Sequence, residues 1–225
     1  AEGTNHPHGA AHAASAFHRS YTVPLPGPDW DVDIATVAGA GGVPVDLVAN
    51  ARYFDRPAVY GENDDLLRYQ FFCRAVIEML KQDEWIPDVI HLNDWHTAPL
   101  AFALRNLAWG NPRLRGVASV FTIHNLRYRG PDELNDFLAQ AIYYSDIVTT
   151  VSPTYAQEIR TPEGGYGLDA DLRARRDSVS GILNGVDYDD WNPAIDRYLP
   201  FHYDASDLTG KARNKAALFD LLRIH

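Results

Sequence analysis

Between Pro87 and Val186 the chain repeats one pattern, a short β-rich run that ends in polar residues and then gives way to apolar residues at helical period. The β-rich runs are PDVIHLN (Pro87–Asn93), ASVFTIHN (Ala118–Asn125), DIVTTVS (Asp146–Ser152) and SVSGILNGV (Ser178–Val186). Helical segments lie between them: PLAFALRNLA (Pro99–Ala108), DELNDFLAQAIYY (Asp132–Tyr144) and PTYAQEIR (Pro153–Arg160). Strands that alternate with helices pair in parallel through right-handed crossovers. The pattern therefore predicts an α/β fold with a doubly wound, mostly parallel sheet. Upstream, VDIATVAGAGGVPVDLVAN (Val32–Asn50) reads as two strands joined at a Gly-rich turn, because Pro44 and the lack of a following helix argue against a dinucleotide loop. Asp64–Gln82 carries apolar residues at Leu67, Phe71, Phe72, Ala75, Val76 and Met79, a helical spacing with Asp64 as N-cap. Residues 1–30, rich in Ala, Gly, His and Pro, show no periodicity and are expected to form a poorly ordered lead-in. Ser206–Ile224 is expected to be one further amphipathic helix.

In open α/β sheets ligands bind beyond the carboxyl ends of the strands. Those ends carry Asp94-Trp95-His96, His124-Asn125, Ser152-Pro153 and Asn184-Gly185-Val186-Asp187. A lone Asp or Asn at such a place is ordinarily a turn or cap residue. Four polar ends on one edge, with an indole beside them, suit a polyhydroxyl ligand, which needs many hydrogen bonds and one apolar surface. A metal reading of His91, Asp94, His96 and His124 is weaker, since alternate strand residues point to opposite faces and His91 is assigned to sheet packing. The histidines of the lead-in (His6, His8, His12 and His18) have no carboxylates around them to support a designed metal site. No G-x-S-x-G elbow is present for a serine hydrolase.

Composition removes other classes. The chain has 225 residues, 46% of them hydrophobic, which suffices for a sizeable core. The formal net charge is −10, and the densest basic stretch, LRARRD (Leu172–Asp177), reads as a solvated helix face, so no nucleic-acid partner is expected. No apolar run approaches the roughly 18 residues that span a bilayer, and the N-terminus has no hydrophobic segment of a signal peptide, so no membrane partner is expected either. The single cysteine, Cys73, sits in the apolar QFFCRAVIEML and reads as a buried inert thiol.

HLNDWHTAPLAFAL (91–104), FTIHNLRYRG (121–130), YYSDIVTTVSPTYAQEI (143–159), YGLDADLRAR (166–175) and GILNGVDYDDWNP (181–193), in this order, resemble the N-terminal domain of the bacterial glycogen synthase and plant starch synthase family. YFDRPAVYGENDD upstream and TGKARNKAALFDLL downstream extend the likeness over about residues 40–224. The resemblance implies the Rossmann-like N-terminal half of a two-domain GT-B glycosyltransferase, with residues 31–205 as that acceptor-side domain and 206–225 as a helix leading toward a second domain. It implies a retaining transfer of glucose from ADP-glucose or UDP-glucose to the non-reducing end of an α-1,4-glucan, glycogen or starch. It implies no cofactor and no metal, and a cytoplasmic location, or a plastid in a plant. By the same resemblance His124 and Asp94 would be catalytic, and Trp95, Asn125 and Asn184 would bind substrate. The His124 side chain would bond a glucose hydroxyl, with its carbonyl near the anomeric carbon. An oxocarbenium-like transition state favours such oriented acceptors.

The family's Lys-x-Gly-Gly-Leu loop, which approaches the nucleotide phosphates, does not occur in the sequence, nor do the segments of its second domain, and Gly130 is followed at once by Pro131 where the family has a longer excursion. The expectation is a fragment of a longer protein, inactive alone. A stand-alone glucan-binding or regulatory module, and a GT-B enzyme for another nucleotide sugar, are the alternative readings. The residues specify no oligomeric state.

Overall fold

A computed structural model provides the structure of the protein and describes residues 17–25, 30–106, 110–130 and 136–223. The chain divides into two compact units, Ala1–Ile182 and Leu183–His225. The expected 31–205 domain spans that division.

The first unit holds two sheets. β1 (Phe17–Val23), β2 (Trp30–Ala38) and β3 (Pro44–Ala49) form an antiparallel sheet in that order. The β2–β3 pair is the hairpin anticipated from the Gly-rich turn, and it pairs Ala38 with Pro44 and Asp33 with Ala49. β1 lies inside the expected lead-in, which corrects that expectation over residues 17–23. Its HRSYTV stretch alternates, placing Tyr21 and Val23 in the core while His18, Ser20 and Thr22 are exposed, and a half-buried strand needs no longer pattern than this. Residues 1–16 of the lead-in, with His6, His8 and His12, lie outside the described residues.

A short helix, α1 (Ala51–Phe54), leads into α2 (Asp65–Gln82). α2 packs against β1 on one side and a helix of the parallel sheet, α4 (Pro99–Asn106), on the other. Burial from two sides explains why Phe71, Cys73, Ala75, Ile77, Met79 and Leu80 are all interior, while Leu67, one of the apolar residues at helical spacing, is 48% exposed. Asp64 occupies the N-cap position, but its carboxylate makes no cap bond and instead pairs with Arg56. That pairing, through a hydrogen bond from the Arg56 guanidinium, holds the Asp64 carboxyl below the usual carboxylate range.

The second sheet is parallel, β4 (Val89–Asn93), β5 (Ala118–Ile123), β6 (Ile147–Thr150) and β7 (Val179–Gly181), in sequential order. The mostly parallel α/β architecture expected from the strand–helix alternation is thus the one found. One face of this sheet contributes Leu92, Phe121, Ile123 and Val148 to the core, together with residues of α2, α4 and α5 (Phe137–Tyr144). On the other face His91 donates or accepts a 2.6 Å bond with Thr122, which bonds Thr149 at 2.6 Å, a polar ladder across three strands. His91 is therefore exposed and cross-linked to its neighbour strand, not packed in the sheet's core. The fourth strand is three residues long where nine were expected. β6 offers only four residues to pair with, and Gly181 passes so close to Ser152 that a Cβ would lie 2.1 Å from its carbonyl oxygen. Helix residues expected at Leu107–Ala108, Asp132–Asn135 and Ile224 lie outside the described residues, as does Pro131.

Two devices fasten the helices. Ser152 caps α6 (Pro153–Glu158), its Oγ accepting the Tyr155 amide at 2.8 Å, with Pro153 at the position where a missing N–H costs nothing. Arg175, just past α7 (Asp169–Ala174), donates to the carbonyls of Ile142, Tyr143, Ser145 and Asp146 at the end of α5. A cation at a helix C-terminus meets the free carbonyls and the negative end of the dipole together.

In the second unit, α8 (Thr209–Leu222) is shorter at both ends than expected. Asn214 on this helix makes a two-way bond with the Phe201 backbone, and Arg213 lies 3.8 Å over the Phe201 ring.

Candidate functional site

The tips of β4 and β5 meet beyond the carboxyl edge of the parallel sheet, and the meeting is held by Asp94. Its Oδ1 accepts the backbone amides of His124 at 2.8 Å and Asn125 at 3.3 Å. The next amides are also taken: Leu126 donates to the Tyr155 hydroxyl at 3.2 Å, Arg127 to Asn125 Oδ1 at 3.0 Å, and Tyr128 to the Asn125 carbonyl at 3.4 Å. Five consecutive amides are thus satisfied by named partners. Asp94 itself sits at φ 55°, a left-handed backbone that is costly for a residue with a Cβ. Strain of this kind, on the order of 1–3 kcal/mol, persists where the surroundings over-determine it, and such places cluster at functional sites.

Beside this turn opens a cleft of about 680 Å³, lined by Asp94, Asn125, Arg127 and Arg129 on one side and by Tyr60 and Glu62 on the other. The 58–62 loop is fixed from α2. Tyr69 donates its hydroxyl to the Val59 carbonyl, Arg68 donates to the Ala58 carbonyl at 3.1 Å, and Asp65 accepts the amides of Gly61 and Glu62 at 2.5 and 3.2 Å. Asp65 and Arg68 are themselves a buried ion pair at 3.3 Å, each about 5% exposed. Another cavity, about 340 Å³ between α2, α4 and α5, touches Cys73 but no strand tip. Burial pushes the Cys73 thiol far above the ordinary range, as an inert thiol requires.

The structure brings four of the five expected site residues together, with differences of detail. Asp94, His124 and Asn125 form the turn just described. Trp95 lies beneath it but is only 6% exposed. Its indole is tilted 31° against the His96 ring at a centroid distance of 4.0 Å, meets Tyr69 edge-on at 4.9 Å, and lies under Gly130, whose Cβ would come within 2.9 Å of the indole. Gly130 is needed twice over, for that contact and for its φ of 98°. The exposed aromatic rings at the cleft are Tyr60 and Tyr128. Asn125 spends its Oδ1 on the turn, leaving its Nδ2 for a ligand. Asn184, the fifth residue, belongs to the second unit.

His96 is half-buried among Trp95, Tyr69 and Tyr60, and its Nε2 is buried without a hydrogen-bond partner among the described residues. Burial pushes its pKa below 6.5, and the nearby Asp94 and Asp65 only partly oppose this. Sequence reasoning passed over Asn93, whose Oδ1 lies 3.0 Å from His124 Nε2. Its place beside Asp94 in HLND was the available signal. Among the described residues, no group of three or more His, Cys, Asp or Glu side chains is arranged to hold a metal ion. No described helix is long and apolar enough to cross a membrane.

A parallel sheet whose neighbouring strand ends bring Asp94 and Asn125 to one cleft, with the His96 ring beside them, defines an α/β ligand-binding lobe. Residues 4–174 match the family model described as the starch synthase catalytic domain. The chain is 42% identical over 203 residues to the glycogen synthase of Moorella thermoacetica and 41% identical over 229 residues to that of Lacticaseibacillus casei, covering 80% and 91% of this chain. It spans 42% and 47% of those relatives, less than half their length. Among solved structures it is similar to the catalytic domain of starch synthase IV from Arabidopsis thaliana bound to ADP and acarbose, with a TM-score of 0.72 and 36% identity over 92% of this chain and 48% of that one. The chain belongs to the glycogen and starch synthase family of glycosyltransferases.

Proposed function

We propose that this chain forms the N-terminal lobe of a glycogen or starch synthase, which transfers glucose from ADP-glucose to the non-reducing end of an α-1,4-glucan. The observation that carries the reading is the turn at His124–Asn125, locked by Asp94, with Asp94 and Asn125 lining the 680 Å³ cleft. Family membership and the likeness to a synthase bound to ADP and acarbose support the substrate classes. ADP-glucose and glucan are the partners, no metal takes part, and the cytoplasm is the location.

In this reading the His124 side chain bonds a hydroxyl of the donor glucose, and its carbonyl, which accepts no hydrogen bond among the described residues, lies near the anomeric carbon. Oriented acceptors of this kind stabilise developing positive charge without having to reorganise. Asn125 Nδ2 supplies a further hydrogen bond to the sugar. Trp95 contributes by supporting the turn and His96 from below. The cations that meet the diphosphate belong to the other lobe, consistent with the net charge of −10 here.

The test is incorporation of labelled glucose from ADP-glucose into glycogen. The chain alone is expected to show none. Joined in frame to the C-terminal half of the Moorella thermoacetica enzyme it is expected to transfer glucose, with the rate lost in His124→Ala. Transfer at the unsubstituted rate in that variant would contradict the assignment.

A further inference from the structure

We infer that Asn93 is a positioning residue that sets the tautomer and orientation of His124. Asn93 is the last residue of β4 and occupies the N-cap position of the four-residue helix α3 (Asp94–Thr97). An Asn at that position ordinarily turns its side chain back to accept an amide of the first helical turn, a bond whose loss costs about 1 kcal/mol. Here it makes no such bond. The amide oxygen crosses to the neighbouring strand tip and meets His124 Nε2 at 3.0 Å.

The rest of the tip allows that diversion. Thr97 does the local work that the Asn93 side chain has left undone: its Oγ accepts the Asn93 amide at 2.6 Å and donates to the Asn93 carbonyl at 2.9 Å. The Asn93 backbone is therefore fixed independently of its side chain. Asp94 fixes the His124 backbone through its amide. With both backbones held, the Asn93 amide oxygen and the imidazole face each other at 3.0 Å, and less entropy is lost in making the bond than between two mobile tips. An amide oxygen only accepts, so Nε2 carries the proton and Nδ1 is left as an acceptor. In this tautomer His124 presents Nδ1 as an acceptor for a sugar hydroxyl. This consequence rests on the sugar-site reading proposed above, whereas the tautomer itself does not.

The experiment uses the whole chain, with its histidine ring nitrogens followed by long-range proton–nitrogen correlation spectra at a pH where His124 is neutral. The expected result is the Nε2–H form. In Asn93→Ala the Nε2 proton should exchange with water about tenfold faster, the effect of losing one hydrogen bond of about 1.4 kcal/mol, and Nδ1–H should become populated. Asn93→Asp, which keeps an acceptor oxygen, should retain the Nε2–H form. An Nδ1–H form in the unsubstituted chain, or the same ring spectrum and exchange rate in Asn93→Ala, would overturn the inference. Maltotetraose titration separates the two levels. No binding to the unsubstituted chain, with the Nε2–H form in place, would count against the sugar-site reading alone. Binding that is equal in the unsubstituted chain and Asn93→Ala would overturn the role of Asn93 in sugar recognition.

Discussion

At the scale of single residues, Asp94 does two things that pull against each other. Its carboxylate satisfies the amides of His124 and Asn125, and its backbone is held at φ 55°. Asp94→Ala removes the acceptor and keeps the strain, so it should destabilise by about 2–3 kcal/mol. Asp94→Gly removes the acceptor and relieves the strain, so it should cost about 1 kcal/mol less than the alanine variant. Urea unfolding checks the order. Equal losses, or a larger loss for glycine, would show that the left-handed backbone carries no cost. His96 gives a pH dependence. Its pKa in the fold is below the unfolded value of 6.5, so the unfolded chain takes up the proton first as pH falls. Its neutral state favours folding above pH 6.5, and that contribution is lost as pH drops from 6.5 to the folded pKa. Thermal unfolding should therefore show a fall in stability below pH 6.5 that is smaller in His96→Phe. The residue types at the strand tips were legible because Asp, His and Asn at strand ends are few and adjacent in space. The burial of Trp95 was not, since it depends on Gly130, 35 positions on, coming to rest against the indole. Nor was the use of the Asn125 oxygen, an Asx turn that any loop Asn can form.

At the scale of elements, the alternation of strand and helix was readable because each segment carries its own period, 2 or 3.6, in its own residues. Element ends depend on partners. β7 stops at Gly181 because β6 is short, and β1 exists because β2 is there to pair with it. The devices that fasten helices are likewise a mixture. The cap at Ser152 is local and visible in SPTY, and Ser152→Ala should cost about 1 kcal/mol, measured by denaturant unfolding. The Arg175 clamp on the end of α5 acts across some thirty residues and left no mark in the sequence beyond a basic stretch read as a solvated face. Removing a charged donor from several carbonyls is the more damaging change. Arg175→Met should cost on the order of 2 kcal/mol. A loss no larger than that of Ser152→Ala would mean that water replaces the guanidinium freely.

At the scale of the whole molecule, the buried Asp65–Arg68 pair couples α2 to the 58–62 loop and hence to the far side of the cleft. Breaking a buried pair by removing one partner costs about 3–5 kcal/mol. Arg68→Met should therefore lower stability by that order and speed amide exchange at Gly61 and Glu62, both read by hydrogen–deuterium exchange. The family was legible in the sequence because its motifs are long and ordered, and two of them, HLNDWH and FTIHN, fall at the β4 and β5 tips that the fold brings together.

The central claim, that the cleft beside the β4 and β5 tips is a sugar site, is tested most directly by titrating the chain with acarbose and following backbone amide shifts. Saturable shifts are expected at Asp94, His124, Asn125 and Tyr128 and along Tyr60–Glu62, weakened by His124→Ala. Saturable shifts confined to other parts of the chain, or none at millimolar acarbose, would contradict it.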